Sequence, residues 1–150
     1  MKFKFILTAI FLFVLTEIGF SQQHGADYLS VPKQKILSAF GKPNKITRAN
    51  GIDQWQYTFY GSADTDKPTS TTYGIQYGRC VYVVTLWNFT SKQKAQSIFN
   101  YLVNEFRPYF SVVKDDTFEK IYANEDIIIT LSFKHWNTYM VISKIDERQQ

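Results

Sequence analysis

One amphipathic stretch, from Thr90 to Pro108, places the strongest constraint on how this chain can fold. Its sequence is TSKQKAQSIFNYLVNEFRP, and its apolar residues recur at the three- and four-residue spacing of one helix face. Thr90 is the expected N-cap, with Gln93 as its capping-box partner, and Pro108 is expected to end the helix. Because most other periodic segments alternate as strands do, this helix is expected to cover a β-sheet.

A second, shorter helix is predicted in the segment VPKQKILSAFGKP, residues 31–43. Ser30 can cap this helix, Pro32 suits its first turn, and Gly41 and Pro43 are expected to end it.

Eight segments have the alternating or continuously apolar pattern of β-strands. The Asn50-Gly51 pair is a strong hairpin signal between the first two of them. Segment 80–87 is apolar on both faces, which is typical of a central strand whose second face is covered or meets a partner. The predicted strands are 45–48, 53–60, 73–77, 80–87, 109–113, 118–123, 127–133 and 139–145. The predicted fold class is therefore α+β: an antiparallel β-sheet covered by two helices, possibly a tandem helix-plus-sheet repeat.

Residues 1–21 have the pattern of a secretory signal peptide. Lys2 and Lys4 precede an apolar run, and the sequence Gly19-Phe20-Ser21 places small residues before a cleavage site at Gln22. An uncleaved membrane anchor is the alternative, although the run is short for a span of about 20 residues. We therefore expect a secreted or periplasmic protein with no membrane span after cleavage.

The rest of the chain is predicted to form one domain between two short flanking segments. The predicted flexible leader is 22–30, the single α+β domain is 31–145 with possible halves 31–88 and 89–145, and the tail is 146–150.

The charge of the chain does not indicate a nucleic-acid partner. The formal net charge is +4, and the basic and acidic residues are interspersed rather than grouped. Cys80 is the single cysteine, so no intramolecular disulfide can form. Since Cys80 lies in an apolar strand pattern, it is expected to be a buried and unreactive thiol.

No catalytic motif is present, so we expect a protein that is not an enzyme and that needs no cofactor. Phosphate-binding glycine loops, nucleophile elbows and zinc-protease motifs are all missing from the sequence. His24 falls in the leader and His135 at a predicted hairpin tip, which does not suggest a metal site. Asp64 and Asp66 resemble the start of a calcium loop, but Pro68 falls near where that loop needs glycine.

Aromatic residues are the candidate binding residues. More of them occur in the strands than one core face can hold, and Trp and Tyr are favoured in binding surfaces. The candidates are Trp136, Tyr82, Tyr139, Trp87 and Tyr60. Partial burial, with the hydroxyl groups at the rim of the core, is the alternative explanation.

Residues 31–87 resemble the SmpA/OmlA-like domains, which share their architecture with β-lactamase inhibitor proteins. The resemblance rests on KQKILSAFGKP, on Trp55-Gln56-Tyr57 and on the paired segments YGIQYGRCVYVV. The chain departs from the outer-membrane assembly members in lacking their lipid-bearing cysteine and in adding a second half. The resemblance implies a non-enzymatic envelope domain that docks on another protein through its sheet.

Two functions follow from these observations. The first is an exported bacterial protein-binding module, an adaptor or inhibitor, whose partner is an unidentified envelope or extracellular protein. The alternative is a small-ligand or glycan-binding domain in which the aromatic residues line a cleft. An enzyme is a third and more distant possibility, because it would require converging carboxylates near His135.

Overall fold

The computed structural model describes residues 26–59 and 67–145 and consists mostly of one β-sheet. Its strands are β1 (Lys45–Ala49), β2 (Ile52–Thr58), β3 (Ser70–Gln76), β4 (Arg79–Asn88), β5 (Ser111–Asp115), β6 (Glu119–Ala123), β7 (Ile127–Lys134) and β8 (Asn137–Lys144). All neighbouring strands are antiparallel, in the order β1-β2-β3-β4-β8-β7-β6-β5. Two helices accompany the sheet, α1 (Lys33–Phe40) and α2 (Lys92–Phe106).

Helix α2 confirms the prediction from its apolar spacing, but the predicted cap is wrong. Ser91 rather than Thr90 is the N-cap, and its hydroxyl oxygen accepts a hydrogen bond from the Lys94 N–H at 3.3 Å. The buried side of the helix packs on β7 and β8. The residues of that side are Ala95, Phe99, Leu102 and Phe106.

Two hairpins in the first half of the sheet have two-residue turns. Asn50 and Gly51 both have positive φ, as do Tyr77 and Gly78, which is the pattern of a type I′ turn. The prediction of a hairpin at Asn50-Gly51 is therefore confirmed. The second turn was predicted one residue later, at Gly78-Arg79, so Tyr77, which is 96% exposed, was assigned to the preceding strand.

Both helices lie on the same face of the sheet, where the core divides into two clusters. The cluster beneath α2 is Trp87, Phe99, Leu102, Phe106, Tyr122, Ile129, Leu131, Met140 and Ile142. The cluster beneath α1 is Ile36, Trp55, Tyr57, Tyr73, Ile75, Cys80 and Val83. Leu29, in the segment before α1, packs against both clusters and so joins them.

The predicted fold class, α+β with the sheet covered by two helices and possibly built as a tandem repeat, is wrong. Eight strands spaced about 4.8 Å apart form a sheet about 34 Å wide, whereas a helix is only about 10 Å across. Helix α1 has eight residues and buries only Ile36, and α2 has its main strand contacts with β7 and β8. The structure is thus one continuous eight-stranded sheet with two short helices.

The end of the predicted flexible leader is ordered against the core. The Ser30 N–H donates to the Cys80 carbonyl at 2.8 Å, and the Cys80 N–H donates to the Val31 carbonyl at 3.0 Å. The ring of Tyr28 lies against Phe40 and Tyr73, with centroid distances of 5.3 and 5.5 Å. The predicted signal peptide (1–21), most of the leader and the tail (146–150) lie outside the described residues.

Candidate binding surface

The face of the sheet opposite the two helices, which we call the open face, is the candidate binding surface. Because side chains alternate along a strand, the residues between the core positions point to this face. Neither helix packs there, and its central side chains are half-buried against one another.

Apolar residues cross the open face as a band, which we call the apolar stripe. Val84 of β4 pairs with Val141 of β8, and Leu86 pairs with Tyr139. On β7, Thr130 pairs with Val141 and Ile128 lies two residues along the strand on the same face. On β6, Ile121 pairs with Thr130 and so continues the stripe. Its members are Val84, Leu86, Tyr139, Val141, Ile128 and Ile121. Covering such a surface with another apolar surface removes it from water and so stabilises the complex that forms.

The open face carries little charge at its centre. Among the open-face positions of β2, β3, β4 and β8, all of them within the described residues, Arg79 is the one charged residue. It stands beside the β3–β4 turn, where its guanidinium donates to the Ser30 carbonyl at 2.8 Å. Charged residues on this face otherwise stand on outer strands or at strand ends, as Lys45, Glu119 and Lys134 do. A complementary partner would therefore be uncharged where it meets these four strands.

Tyr82 lies flat on the open face, over Gly74 of the neighbouring strand. Gly74 and Tyr82 are paired in the β3–β4 register, which shifts at the next residue along β3. A Cβ at Gly74 would fall 2.6 Å from Cδ1 of the Tyr82 ring and closer still to Cε1 and Cζ. Such similar distances to three consecutive ring atoms require that the face of the ring, not its edge, lies over Gly74. The opposite face of the ring points away from the sheet.

Trp136 lies at the tip of the β7–β8 hairpin, where the open face ends. Its side chain is 52% exposed. His135 and Trp136 occupy the two central turn positions with φ values of 49° and 63°. Positive φ is strained for bulky residues, and the turn type is normally formed by Asn and Gly. The hairpin therefore keeps an exposed indole at a position where a glycine would be more stable.

The structure places two of the five predicted binding residues on the open face and a third at the end of that face. Tyr82 and Tyr139 lie on the open face, and Trp136 lies on the same hairpin as Tyr139. Trp87 does not belong to this surface, because strand alternation turns it to the helix side, where it is 2% exposed in the core. Tyr60 lies outside the described residues.

A second exposed apolar group, near the edge strand β5, was not found from the sequence. Its members are Tyr109, Val112, Val113 and Phe118. The ring of Phe118 stacks on Phe133 at 6.3 Å, and Lys114 pairs with Glu119 on the same hairpin. The consecutive valines of β5 were the available signal, but they were assigned to an ordinary strand.

The titratable groups of the described residues do not converge on a site. Within residues 26–59 and 67–145 no three His, Cys, Asp or Glu side chains stand close enough to hold a metal ion. The prediction that Cys80 is buried is confirmed, and burial raises the pKa of its thiol to about 12. His24, Asp64 and Asp66 lie outside the described residues.

Comparison with known proteins shows the fold alone. The sequence matches no protein-family model and no curated protein. The structure is similar to that of an extracellular protein containing an SCP domain from Bacillus anthracis, with a TM-score of 0.51 and 12% identity over 83% of this chain. A cysteine-rich secretory protein from Staphylococcus aureus is more distant, with a TM-score of 0.46 and 10% identity over 82% of this chain.

This chain spans 46% of the length of each of these two proteins. Neither of them tests the resemblance of residues 31–87 to the SmpA/OmlA-like domains, which stays a prediction. In the part of the chain that the structure describes, no helix is long and apolar enough to cross a membrane. The chain therefore shares its fold with part of an extracellular bacterial protein.

Proposed function

We propose that this chain is an exported bacterial envelope protein that binds another protein, without catalysis, through the open face of its sheet. The observation that carries the proposal is the apolar stripe, which neither helix covers. The partner that fits it presents an uncharged, apolar surface, because the open-face positions of the central strands carry almost no charge.

The size of the open face supports a protein partner. Strand spacing and rise give a face about 34 Å wide and about 20 Å long, or about 700 Å² in projection. A stable interface buries about 800 Å² from each partner. The open face together with Trp136 at its end is therefore large enough for one interface of ordinary size.

Export and the absence of catalysis have separate support. Residues 1–21 have the pattern of a signal peptide, and the fold occurs in an extracellular protein of Bacillus anthracis. The SmpA/OmlA-like resemblance of residues 31–87 implies docking on a protein through the sheet. These observations favour an exported adaptor or inhibitor over a protein that acts inside the cell.

The test is capture of partners from an envelope extract by residues 22–150, compared between variants. Val141→Lys places a charge in the apolar stripe, so we expect it to reduce capture by about tenfold or more. Trp136→Ala removes the exposed indole and should reduce the same capture with little loss of stability. The matched control is Val113→Lys, which makes the same change at an exposed position of β5 and should leave capture unchanged.

The proposal is overturned if folded Val141→Lys and Trp136→Ala both capture the partner as well as the wild type does. Circular dichroism establishes which variants are folded. If Val141→Lys fails to fold, Tyr139→Ala replaces it, because truncation of that half-buried ring removes apolar surface without adding charge.

A further inference from the structure

We propose that the open face over β2, β3 and β4 binds a neutral carbohydrate, with the flat ring of Tyr82 as its stacking platform. This surface, which we call the tyrosine platform, comprises Tyr82, Gln54, Gln56 and Thr72. It borders the apolar stripe, since Thr72 pairs with Val84, but shares no residue with it, and its ligand does not depend on the protein partner proposed above.

The first observation is the orientation of the Tyr82 ring. The ring rests on the backbone of Gly74, which has no side chain to lift it, so one face of the ring is packed, and Tyr82 as a whole is half-buried. Any other residue at position 74 would push the ring upright. A ring held parallel to the sheet offers its electron-rich face to a ligand at little further entropic cost, because it is already immobilised.

The second observation is the row of neutral polar side chains beside the ring. Gln54 pairs with Gly74 across β2 and β3, and Gln56 pairs with Thr72 in the next row. The Thr47 hydroxyl donates to Oε1 of Gln54 at 3.1 Å, which directs the amide group of Gln54 to act as a donor elsewhere. Amide and hydroxyl groups can both donate and accept, as the hydroxyl groups of a sugar do.

This combination of groups matches the two sides of a pyranose. The C–H groups of a sugar ring carry partial positive charge and pack on the negative face of an aromatic ring. Its hydroxyl groups then lie at the edge, where amide and hydroxyl side chains meet them. The platform residues themselves are neutral, and the nearest cationic side chain is that of Lys45, which pairs with Gln56 at the outer edge of the sheet.

The experiment measures binding of two neutral hexasaccharides, chitohexaose and cellohexaose, to residues 22–150 by NMR titration. A single stacked ring with a few hydrogen bonds supports dissociation constants from about 1 mM to about 10 μM, so the titration extends to about 5 mM. We expect at least one of them to bind, with shifts confined to β2, β3 and β4. Tyr82→Ala should weaken binding by about tenfold or more, whereas Tyr82→Phe should retain it within about threefold.

Matched controls separate this proposal from the proposed protein binding. Tyr139→Ala removes a tyrosine of the same face from the apolar stripe, and we expect it to leave sugar binding unchanged. Val141→Lys should likewise bind sugar while failing to capture the protein partner. If Tyr82→Ala does not fold, Gln54→Ala is the second variant, and it should weaken binding by about fivefold through the lost hydrogen bonds.

Three outcomes overturn the inference. The first is that neither hexasaccharide binds at about 5 mM, far above the weakest dissociation constant that a stacked platform supports. The second is that binding survives unchanged in folded Tyr82→Ala and Gln54→Ala. The third is that the shifts map to the apolar stripe or follow protein concentration, which would show that a second copy of the chain occupies the face.

Discussion

Two buried threonines on the helix side of the sheet differ in whether their hydroxyl groups have partners. The hydroxyl of Thr138 donates to the Ala95 carbonyl at 2.9 Å and so ties β8 to α2. The hydroxyl of Thr85 is buried between the two core clusters and meets no hydrogen-bond partner among the described residues. A buried hydroxyl without a partner costs free energy, whereas a satisfied one contributes to stability.

We expect the same substitution to have opposite effects at these two positions. Thr85→Val keeps the shape of the side chain and removes the unsatisfied group, so it should raise the free energy of unfolding by about 1 kcal/mol. Thr138→Val breaks the bond to Ala95 and should lower the free energy of unfolding by about 1 kcal/mol. Urea denaturation of both variants measures the difference. A destabilised Thr85→Val variant would contradict the prediction and indicate an ordered water at that hydroxyl.

At single positions, the sequence could predict which residue types matter but not always which face they occupy. Tyr82 and Trp87 both lie in a strand that is apolar on both sides, so its alternation did not indicate which set faces the helices. The register shift between Gly74 and Ile75 also changes which β4 residues share a face. Only pairing with β3 and β8 separates the core residue Trp87 from the surface residue Tyr82.

At the scale of elements, helix α2 depends on a cap that differs by one residue from the expected one. Both Thr90 and Ser91 can cap a helix, and the spacing to Gln93 favoured Thr90. In the structure the Ser91 hydroxyl accepts from the Lys94 N–H, so the helix begins one residue later. Sequence patterns locate helix ends only to within a residue or two, because neighbouring polar residues compete for the same N–H groups.

Two serine-to-alanine changes in this segment should therefore differ in sign. Ser91→Ala removes the N-cap and should lower the free energy of unfolding by about 1 kcal/mol. Ser97→Ala makes the same chemical change at an exposed position within α2, where alanine is the better helix former, and should raise stability by about 0.5 kcal/mol. Thermal unfolding followed by circular dichroism compares the two. Equal effects of the two substitutions would show that the Ser91 cap does not stabilise α2.

The strands were predicted well where their side chains alternate and poorly where they do not. The segment before Tyr73 is polar and lies outside the predicted strands, yet β3 begins at Ser70, and both Ser70 and Thr71 are buried. These residues form a strand because β2 and β4 pair with them on both sides, not because of their own propensity.

At the scale of the whole molecule, the two short helices could not have been matched to the sheet from local patterns. The spacing of apolar residues indicates a helix or a strand, but the width of the sheet depends on which strands pair. Pairing of β4 with β8 joins all eight strands into one sheet, and no sequence pattern indicates this contact. The open face exists because the sheet is wider than its two helices. Its aromatic residues were predicted from residue type alone, whereas its extent depends on strand pairing and was not predicted.

Burial of ionisable groups across both core clusters makes the stability of the whole domain sensitive to high pH. Burial raises the pKa of Cys80 from 9.0 to about 12 and also raises the pKa values of Tyr57, Tyr73 and Tyr122 above their ordinary value of 10.0. Above about pH 9 the unfolded chain therefore loses protons that the folded protein retains. The stability that depends on these protons is fully present at neutral pH, well below the unfolded pKa values, and is lost as the pH rises toward the folded pKa values.

We expect the free energy of unfolding to fall continuously as the pH is raised from about 8.5 to about 10.5. Cys80 should contribute more of this fall than any single tyrosine, since the unfolded-state pKa of its thiol lies about one unit below that of a tyrosine. Cys80→Ala should accordingly show a shallower fall in stability over the same pH range, with the contribution of the tyrosines remaining. Urea denaturation at each pH measures the stability of both proteins.

Alkylation tests the burial of the thiol directly. Iodoacetamide should not modify the folded wild type at pH 8.5, because the Cys80 thiol stays protonated and buried. A wild-type stability that is constant up to pH 10.5, or rapid alkylation of the folded protein, would show that the thiol is not buried as the structure places it.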